Sequence, residues 1–326
     1  MRLATLRDGS RDGALIVVDR SGVRFARPTG VAATLQQALD DWDRCEPRLA
    51  EMASALERSA VTSERLDDPK KLAAPLPRAY EWIDGSGYLN HIRLVRGARG
   101  ADLPPDLETD PLVYQGGSGV LLGPTEPLIW PGAAAGLDFE AEMAVVLGDV
   151  PRGVRAGRAA GHLRLLVLAN DVTYRGLVAD ELKKGFGFFV SKPATAFAPF
   201  AVTPDEFGTH FRNGRAHLRL QCTRNGILIG DLETGPEMHF SFCDLLAHIA
   251  QTRSLTAGTI VGGGTVSNGD ATRGVACLAE LRSREILATG SPSTPFLCPG
   301  DRLRIEAFDA DGWSVFGAIE ETVAAG

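Results

Sequence analysis

The segment LDFEAEMAVVLG, residues 137–148, places an acid at every second position and then continues as an apolar run. Alternate side chains of a strand point to opposite faces, so Asp138, Glu140 and Glu142 are predicted to share one face. Like charges this close repel one another unless a positive group lies between them. The apolar run predicts that the same strand enters the core. The fold is therefore predicted to be built around a buried strand with acids at its mouth.

Strand patterns separated by Gly and Pro dominate from residue 80 onward. HLRLQCTRNGILIG predicts a hairpin that turns at Asn225 and Gly226, and DRLRIEAFDADGWSVFGAIEETV predicts a second strand pair with an Asp-Gly turn. One helix interrupts them, because Ser241 and Asp244 form a capping-box pattern before FCDLLAHIAQT. The pattern predicts an α+β, β-rich fold rather than a series of βαβ units.

The first seventy residues are predicted to form a small N-terminal domain that contains β-strands. ALIVVDRSGVRFAR predicts two short strands around a Ser-Gly turn. Thr34 with Gln37 predicts a helix start, and Pro47 is predicted to separate that helix from a second one. A Pro-rich polar stretch near residues 67–79 is predicted to be a linker. We therefore expect one domain over residues 1–70 and a larger one over residues 71–326.

Composition excludes several classes of partner. The formal net charge of -7 at pH 7 and the pI near 5.5 argue against nucleic acid, whose binding surfaces carry a basic excess. The N-terminal residues lack the apolar segment of a signal peptide, and no apolar run reaches about 18 residues. A cytoplasmic protein without membrane contact is predicted. The five cysteines form no CxxC pair, which fits neither a disulfide framework nor a thiolate zinc site.

Two further acids extend the acidic strand pattern. Asp171 directly follows LRLLVLAN, an apolar run typical of a buried strand, where an unpaired carboxylate is costly. Asp84 lies with His91 in the segment YEWIDGSGYLNHIRL. Carboxylates without a Cys or His cluster suit a hard ion such as Mg²⁺, Mn²⁺ or Ca²⁺ rather than zinc. Each acid also has a structural interpretation, as an Asx turn beside Gly85 for Asp84 and as a helix N-cap for Asp171.

The glycine-rich segment GTIVGGGTVSNG has no phosphate-binding spacing. It contains neither GxGxxG nor GxxxxGK[ST], and no long helix pattern follows it. Tight turns, or the close approach of backbone to a ligand, explain these glycines better.

Taken in order, these motifs resemble the fumarylacetoacetase (fumarylacetoacetate hydrolase) family over most of residues 80–323. LDFEAEMA resembles the family's acidic metal strand, NDVTYR its Asn-Asp motif, and the spacing from Asp84 to His91 matches that between a ligand and the catalytic histidine. The resemblance implies a mixed β-sandwich or roll as the catalytic domain. It also implies a homodimer and a set of metal ligands, namely Asp84, Glu140, Glu142 and Asp171.

The resemblance further implies the residues that handle the substrate. It implies that Glu280 pairs with the catalytic His91, and that the remaining catalytic and substrate-binding residues are Lys192, Arg175, Tyr114 and Thr259. A surface lysine beside Pro193 and a salt bridge of Arg175 to neighbouring acids are the structural alternatives. Val178 stands where the animal-type enzyme has Gln, and Ser86 stands where it has Tyr, so the substrate stays open.

The function that follows is a metal-dependent hydrolase of a C-C bond in a 2,4-dioxo or 3-oxo acid. Fumarylacetoacetate, from aromatic amino-acid (tyrosine) breakdown, is the first candidate, followed by related acylpyruvates. A lyase on the same scaffold is the alternative, either an oxo-acid decarboxylase or a 2-oxo-alkenoate hydratase. A more distant alternative is a non-catalytic, Ca²⁺-stabilised binding module in which the acids only hold the fold.

Overall fold

The computed structural model describes residues 1–326. The α-helices are α1 (Leu35–Asp40), α2 (Trp42–Glu57), α3 (Leu89–Ala98), α4 (Ala156–Ala159), α5 (Arg175–Lys183), α6 (Phe242–Ile249) and α7 (Leu278–Thr289). The β-strands are β1 (Arg2–Leu6), β2 (Ala14–Val18), β3 (Arg24–Ala26), β4 (Glu64–Arg65), β5 (Trp82–Gly85), β6 (Val113–Gly116), β7 (Leu128–Trp130), β8 (Leu137–Asp138), β9 (Ala141–Leu147), β10 (Leu163–Asn170), β11 (Thr173–Tyr174), β12 (Ala196–Phe197), β13 (Ala201–Val202), β14 (Phe211–Arg212), β15 (Arg215–Ala216), β16 (Arg219–Arg224), β17 (Ile227–Glu233), β18 (Ile260–Thr265), β19 (Arg302–Phe308) and β20 (Ile319–Ala325). None of the helices is long and apolar enough to cross a bilayer.

An eleven-stranded sheet forms the centre of the fold. Its order is β4-β3-β2-β1-β13-β10-β9-β18-β5-β6, with β12 paired to β10. Every residue of β9 is buried, and Met143 and Val145 belong to the larger hydrophobic cluster whereas Ala144 and Val146 belong to the smaller one. The sheet is thus covered on both faces, which explains why this strand continues as an apolar run.

A second sheet of five strands, in the order β17-β16-β19-β20-β7, packs through the larger cluster. Its β16–β17 hairpin turns at Asn225 (φ 55°) and Gly226 (φ 80°), as the Asn-Gly pair predicts. The expected capping box of α6 is also present, since Ser241 and Asp244 exchange hydrogen bonds. The β-rich α+β fold is confirmed.

The N-terminal strands continue the main sheet instead of forming a sheet of their own. Strand β1 pairs with β13, with Leu3 opposite Ala201, and Thr34 caps α1 as expected. The predicted separation of two helices at Pro47 is wrong, because the chain breaks at Asp41 and Pro47 lies inside α2. Pro47 is the sixth residue of α2 and lies beyond the first turn, so the helix continues through it without the hydrogen bond that an amide at this position would donate to the carbonyl of Asp43.

Three neighbouring strands of the main sheet bring the predicted acids to one place. On β18, Gly262 pairs with Asp84 of β5, and Thr265 pairs with Glu142 of β9. On the other side of β9, Ala169 of β10 pairs with Glu142, two residues before Asp171. The carboxylates therefore meet at one end of the β5–β18–β9–β10 group.

Glu321 of β20 is a buried carboxyl whose ionisation opposes folding. Burial raises the pKa of Glu321 to about 8, although Asn170 donates a hydrogen bond of 2.7 Å to its Oε2. The folded state therefore holds a proton that the unfolded state, with a glutamate pKa of about 4.3, releases. The contribution of protonated Glu321 to the free energy of unfolding is fully present below about pH 4.3 and is lost as pH rises towards 8.

We expect Glu321→Gln to remove this pH dependence. Relative to wild type, the variant gains stability progressively above about pH 4.3, reaching on the order of 5 kcal/mol at pH 8. Urea unfolding at pH 5 and pH 8 measures the gain, with the exposed neighbour Glu320→Gln as control. An equal difference from wild type at both pH values would contradict the assignment.

Candidate active site

Three buried carboxylates converge at the end of these strands. One oxygen each from Asp84, Glu142 and Asp171 lies within 4.8 Å of the others. Neither oxygen of Glu142 has a hydrogen-bond partner, although the side chain is fully buried. Burial, together with repulsion among the acids, raises the pKa of both Asp84 and Glu142. Oxygen donors of this kind fit a hard divalent cation, which would relieve both the repulsion and the missing partners.

Gly262 leaves the space in which two of these carboxylates lie. A Cβ atom on Gly262 would be 2.3 Å from Asp84 Oδ1 and 3.1 Å from Glu142 Oε2. Asp84 is also fixed from the same strand, since Gly264 N–H donates to its Oδ1 at 3.0 Å. The glycine-rich segment thus allows backbone to approach a site of ligand atoms, which is one of the two explanations that its sequence offered.

Gly262→Ala is expected to weaken divalent-metal binding about tenfold, because its Cβ displaces two oxygen atoms from the cluster. Calorimetric titration with Mn²⁺ measures the effect. Gly157→Ala is the matched control, since a Cβ there has no neighbour within 4 Å. Unchanged Mn²⁺ affinity in a folded Gly262→Ala protein would contradict this account.

Glu140 occupies a different position from the other predicted ligands. Its Oε1 accepts from Arg175 Nη2 at 2.5 Å, and its Oε2 accepts from Lys192 Nζ. Burial acts to raise the pKa of Glu140, but Arg175 and Lys192 outweigh it and hold that pKa low. Lys192 also donates to Asp171 Oδ2 at 2.5 Å. Metal ligation by Glu140 stays a prediction, since in this structure its oxygens contact the two cations.

For Lys192 and Arg175 the sequence also allowed purely structural roles, as a surface lysine and as a salt-bridge partner, and the structure bears on each of them differently. Lys192 is 8% exposed, so the surface-lysine interpretation is wrong. Arg175 does form salt bridges to neighbouring acids, to Asp138 at 2.8 Å and to Glu140 at 2.5 Å, and it also lines the cavity. The salt-bridge and substrate-contact interpretations of Arg175 are therefore compatible.

His91 and Glu280 form a hydrogen-bonded pair between two packed helices, α3 and α7. His91 Nδ1 lies 2.9 Å from Glu280 Oε1, and Nε2 lies 4.0 Å from Glu140 Oε1. A carboxylate can only accept, so Nδ1 is the donor and Nε2 is left without a proton in the neutral ring. Cys277 caps α7, its sulfur accepting the Glu280 N–H at 3.4 Å. The pair presents a basic nitrogen to the cavity beside the acids.

One cavity of about 190 Å³ is lined by Asp84, His91, Glu140, Arg175 and Lys192. Apolar side chains, among them Val178 and Phe188, line it as well. Tyr114 is a further lining residue, and its hydroxyl donates to Asp171 Oδ2. Burial and the charge of Asp171 raise the pKa of Tyr114, which keeps the hydroxyl protonated. The cavity can thus hold a small anion that also carries an apolar part.

One predicted substrate-binding residue lies elsewhere. Thr259 is buried just before β18, where its hydroxyl donates to the carbonyl of Thr256 at 2.8 Å, and it does not line the cavity. Thr265, at the other end of β18, lines the cavity instead. Sequence reasoning also missed Arg96 and Arg99 in the cavity wall. No motif in the sequence marked either of them.

The β-rich α+β fold thus brings together oxygen donors of the kind that fit a divalent metal and, in the cavity wall, cationic groups of the kind that fit a small anion. The chain belongs to the fumarylacetoacetate hydrolase family. The family model "Fumarylacetoacetate (FAA) hydrolase C-terminal" matches residues 81–324, and "Fumarylacetoacetase N-terminal domain 2" matches residues 1–78. The resemblance found in the sequence motifs is confirmed.

Relatives in this family act on oxo acids in more than one way. The mitochondrial oxaloacetate tautomerase FAHD1 of Homo sapiens is 27% identical over 59% of this chain and 83% of its own length. The 2,4-didehydro-3-deoxy-L-rhamnonate hydrolase of Sphingomonas sp. (strain SKA58) is 27% identical over 49% of this chain and 54% of its own length. Among the solved structures, maleylpyruvate hydrolase from Sphingobium sp. SYK-6, in complex with manganese(II) and pyruvate, has a TM-score of 0.67 at 19% identity and covers both chains fully.

Proposed function

We propose that this protein is a divalent-metal-dependent hydrolase that cleaves a C-C bond in a 2,4-dioxo or 3-oxo acid. Fumarylacetoacetate is the first candidate substrate, followed by related acylpyruvates. The observation that carries the proposal is the His91–Glu280 pair, because His91 lines the same cavity as Asp84, one of the three converging carboxylates. Hydrolysis needs a group that activates water, whereas simple decarboxylation of an oxo acid depends on the metal more than on a base.

Asp84, Glu142 and Asp171 would hold the ion, and Mg²⁺ or Mn²⁺ fits their oxygen donors. When bound, a divalent ion supplies Lewis-acid polarisation of the substrate carbonyl. His91 Nε2 takes a proton from water while Glu280 holds the ring through Nδ1, and the oxygen of the water forms a bond to the carbonyl carbon. The C-C bond then breaks, and the electron pair leaves as an enolate.

The proton held on His91 returns to the enolate carbon, so that the ring is neutral again for the next turnover. Arg175 and Lys192 lie beside this path and stabilise the substrate carboxylate and the enolate charge. Burial acts to lower the pKa of both cations, but their neighbouring carboxylates raise it above the ordinary value. Both groups therefore stay charged throughout the reaction.

Two guanidinium groups support a substrate with a second anionic group. Arg96 and Arg99 also line the cavity. Neither forms a salt bridge to a carboxylate, and the Arg96 guanidinium donates only to the backbone carbonyl of Asp102, at 2.8 Å. A distal carboxylate such as that of fumarylacetoacetate would give them an acidic partner.

Keto–enol isomerisation of a short oxo acid is the second candidate function. The relatives include oxaloacetate tautomerases, and the cavity of about 190 Å³ suits a compact acid. A tautomerase needs the same base to move a proton between carbon and oxygen, but it needs no attacking water. Decarboxylation of oxaloacetate and hydration of a 2-oxo-alkenoate, the two lyase alternatives, are assayed with the same metal-loaded protein.

The decisive experiment follows the loss of fumarylacetoacetate absorbance with purified protein loaded with Mg²⁺ or Mn²⁺. Formation of fumarate and acetoacetate, dependent on the metal and on His91, is the expected result. A folded, metal-loaded protein that turns over neither fumarylacetoacetate nor other acylpyruvates, but equilibrates the keto and enol forms of oxaloacetate, would replace the hydrolase with the tautomerase. Light scattering tests the homodimer that the family resemblance implies.

A further inference from the structure

Asp138, the first acid of the opening motif, lies outside the metal-ligand cluster of Asp84, Glu142 and Asp171. It is fully buried at the end of β8. Its Oδ1 accepts the backbone N–H groups of Phe139 at 2.9 Å and of Leu278 at 2.8 Å. Its Oδ2 accepts the N–H of Ala279 at 2.9 Å and the Nε–H of Arg175 at 2.8 Å. Both oxygens are thus used by protein donors, which leaves Asp138 no role as a metal ligand.

Two of these donors are the first two amides of α7. Leu278 and Ala279 begin the helix, and amides at this position have no partner within the helix. A carboxylate there satisfies both amides and lies in the favourable field of the helix dipole. Glu280 is the next residue, and its side chain holds His91 Nδ1. The contact with Asp138 therefore fixes the turn of helix that orients the basic histidine.

The one side-chain donor to Asp138 is Arg175, which begins α5. Its Nε contacts Asp138, while its Nη2 contacts Glu140 at 2.5 Å, so two carboxylates fix the plane of the guanidinium. The same guanidinium lines the cavity. The bidentate pattern of an arginine makes this orientation more precise than a lysine could achieve.

We propose that Asp138 is a positioning residue that sets the geometry of Arg175 and of the His91–Glu280 pair from one buried carboxylate. The inference rests on the proposed function for what those groups do, but the contacts themselves do not depend on it. It predicts that neutralising Asp138 weakens anion binding at Arg175 and slows turnover, while the carboxylates of the metal cluster keep their places.

Asp138→Asn is the first test, because asparagine offers only one acceptor oxygen to donors that occupy two. We expect Mn²⁺ affinity to be unchanged and the affinity of the Mn²⁺-loaded protein for pyruvate to fall about tenfold, both by calorimetry. Pyruvate is the probe because a structural relative holds it with manganese. With the substrate that the wild type cleaves, KM should rise and kcat should fall.

The control is Asp244→Asn, which removes a comparable carboxylate cap from α6, away from the cavity. It is expected to lower thermal stability without changing pyruvate affinity. Wild-type pyruvate affinity in a folded Asp138→Asn protein would overturn the proposal and leave Asp138 a purely structural residue. Should that variant not fold, Asp138→Glu keeps the charge but displaces the carboxylate by one methylene, and wild-type affinity there would also overturn it.

A double variant tests whether Asp138 acts through Arg175. If it does, Asp138→Asn combined with Arg175→Lys should lose no more pyruvate affinity than Arg175→Lys alone. Fully additive losses would overturn this part of the proposal. Failure of the proposed function is distinguishable, since a wild type without hydrolase activity still allows each of these pyruvate measurements.

Discussion

His91→Ala should lower kcat about 10²- to 10⁴-fold while the protein keeps its fold and its metal affinity. The ring supplies the only imidazole nitrogen that faces the cavity, and Glu280 holds it in place at 2.9 Å. The metal-ligand cluster makes no hydrogen bond to His91, so removal of the ring leaves those three carboxylates in position. Steady-state kinetics with a saturating metal concentration measure the loss, and calorimetry measures Mn²⁺ binding.

His162→Ala is the matched control for this experiment. His162 is a partly buried histidine whose Nδ1 contacts the backbone carbonyl of Asp149 at 2.7 Å, and it lies outside the cavity. Its replacement should leave kcat unchanged. A His91→Ala protein that turns over at the wild-type rate would favour the non-catalytic binding module, in which the acids only stabilise the fold.

Glu142→Gln should reduce divalent-metal affinity by on the order of 100-fold or more, and activity with it. Both oxygens of Glu142 are buried without a partner, and its pKa is raised by burial first and then by the neighbouring acids. Replacing it with an amide of the same shape removes a repelled charge from the metal-free protein. The metal-free variant should therefore unfold at a higher temperature than the metal-free wild type.

Thermal unfolding with and without Mn²⁺ separates the loss of metal binding from the gain in stability of the metal-free protein. Wild type should be stabilised by saturating metal, because the ion binds the folded state, whereas Glu142→Gln should show little further shift. Glu233→Gln, on the exposed side of β17, is the control. A Glu142→Gln protein that binds Mn²⁺ normally would place the cation elsewhere in the site.

Local sequence patterns predicted those parts of the fold in which neighbouring residues decide the conformation. The turn at Asn225 and Gly226 and the cap of α6 are of this kind, since the required backbone angles and hydrogen bonds lie within a few residues. The pairing of His91 with Glu280 was different, because it joins residues 189 positions apart. Only the family resemblance could supply it.

The alternation of acids over residues 137–148 was insufficient to predict which of these acids lie together in the structure. Alternation placed Asp138 on the same face as Glu140 and Glu142, but the strand is interrupted between β8 and β9, and Asp138 turns towards α7. The helix amides that attract it come from residues about 140 positions later in the chain. No pattern within the strand could reveal that partner.

Thr259 was predicted to line the substrate site but does not line the cavity, and the cause is again a tertiary one. Pairing between β18 and β9 shifts register between Gly262 and Thr265, so counting along the glycine-rich segment does not predict which hydroxyl faces the cavity. Arg96 and Arg99 had no motif, and at five and eight residues beyond His91 a helical spacing does not place them on its face. The cavity wall is thus the part of the site that depended most on tertiary structure.

The pairing of β1 with β13 also constrains how the chain acquires its structure during synthesis. Leu3 lies opposite Ala201, so β1 leaves the ribosome long before β13, the strand with which it pairs. Until then, the first β-strands present an open hydrogen-bonding edge, on which another chain could add a strand. Completion of the central sheet is consequently a late, non-local event in the folding of this protein.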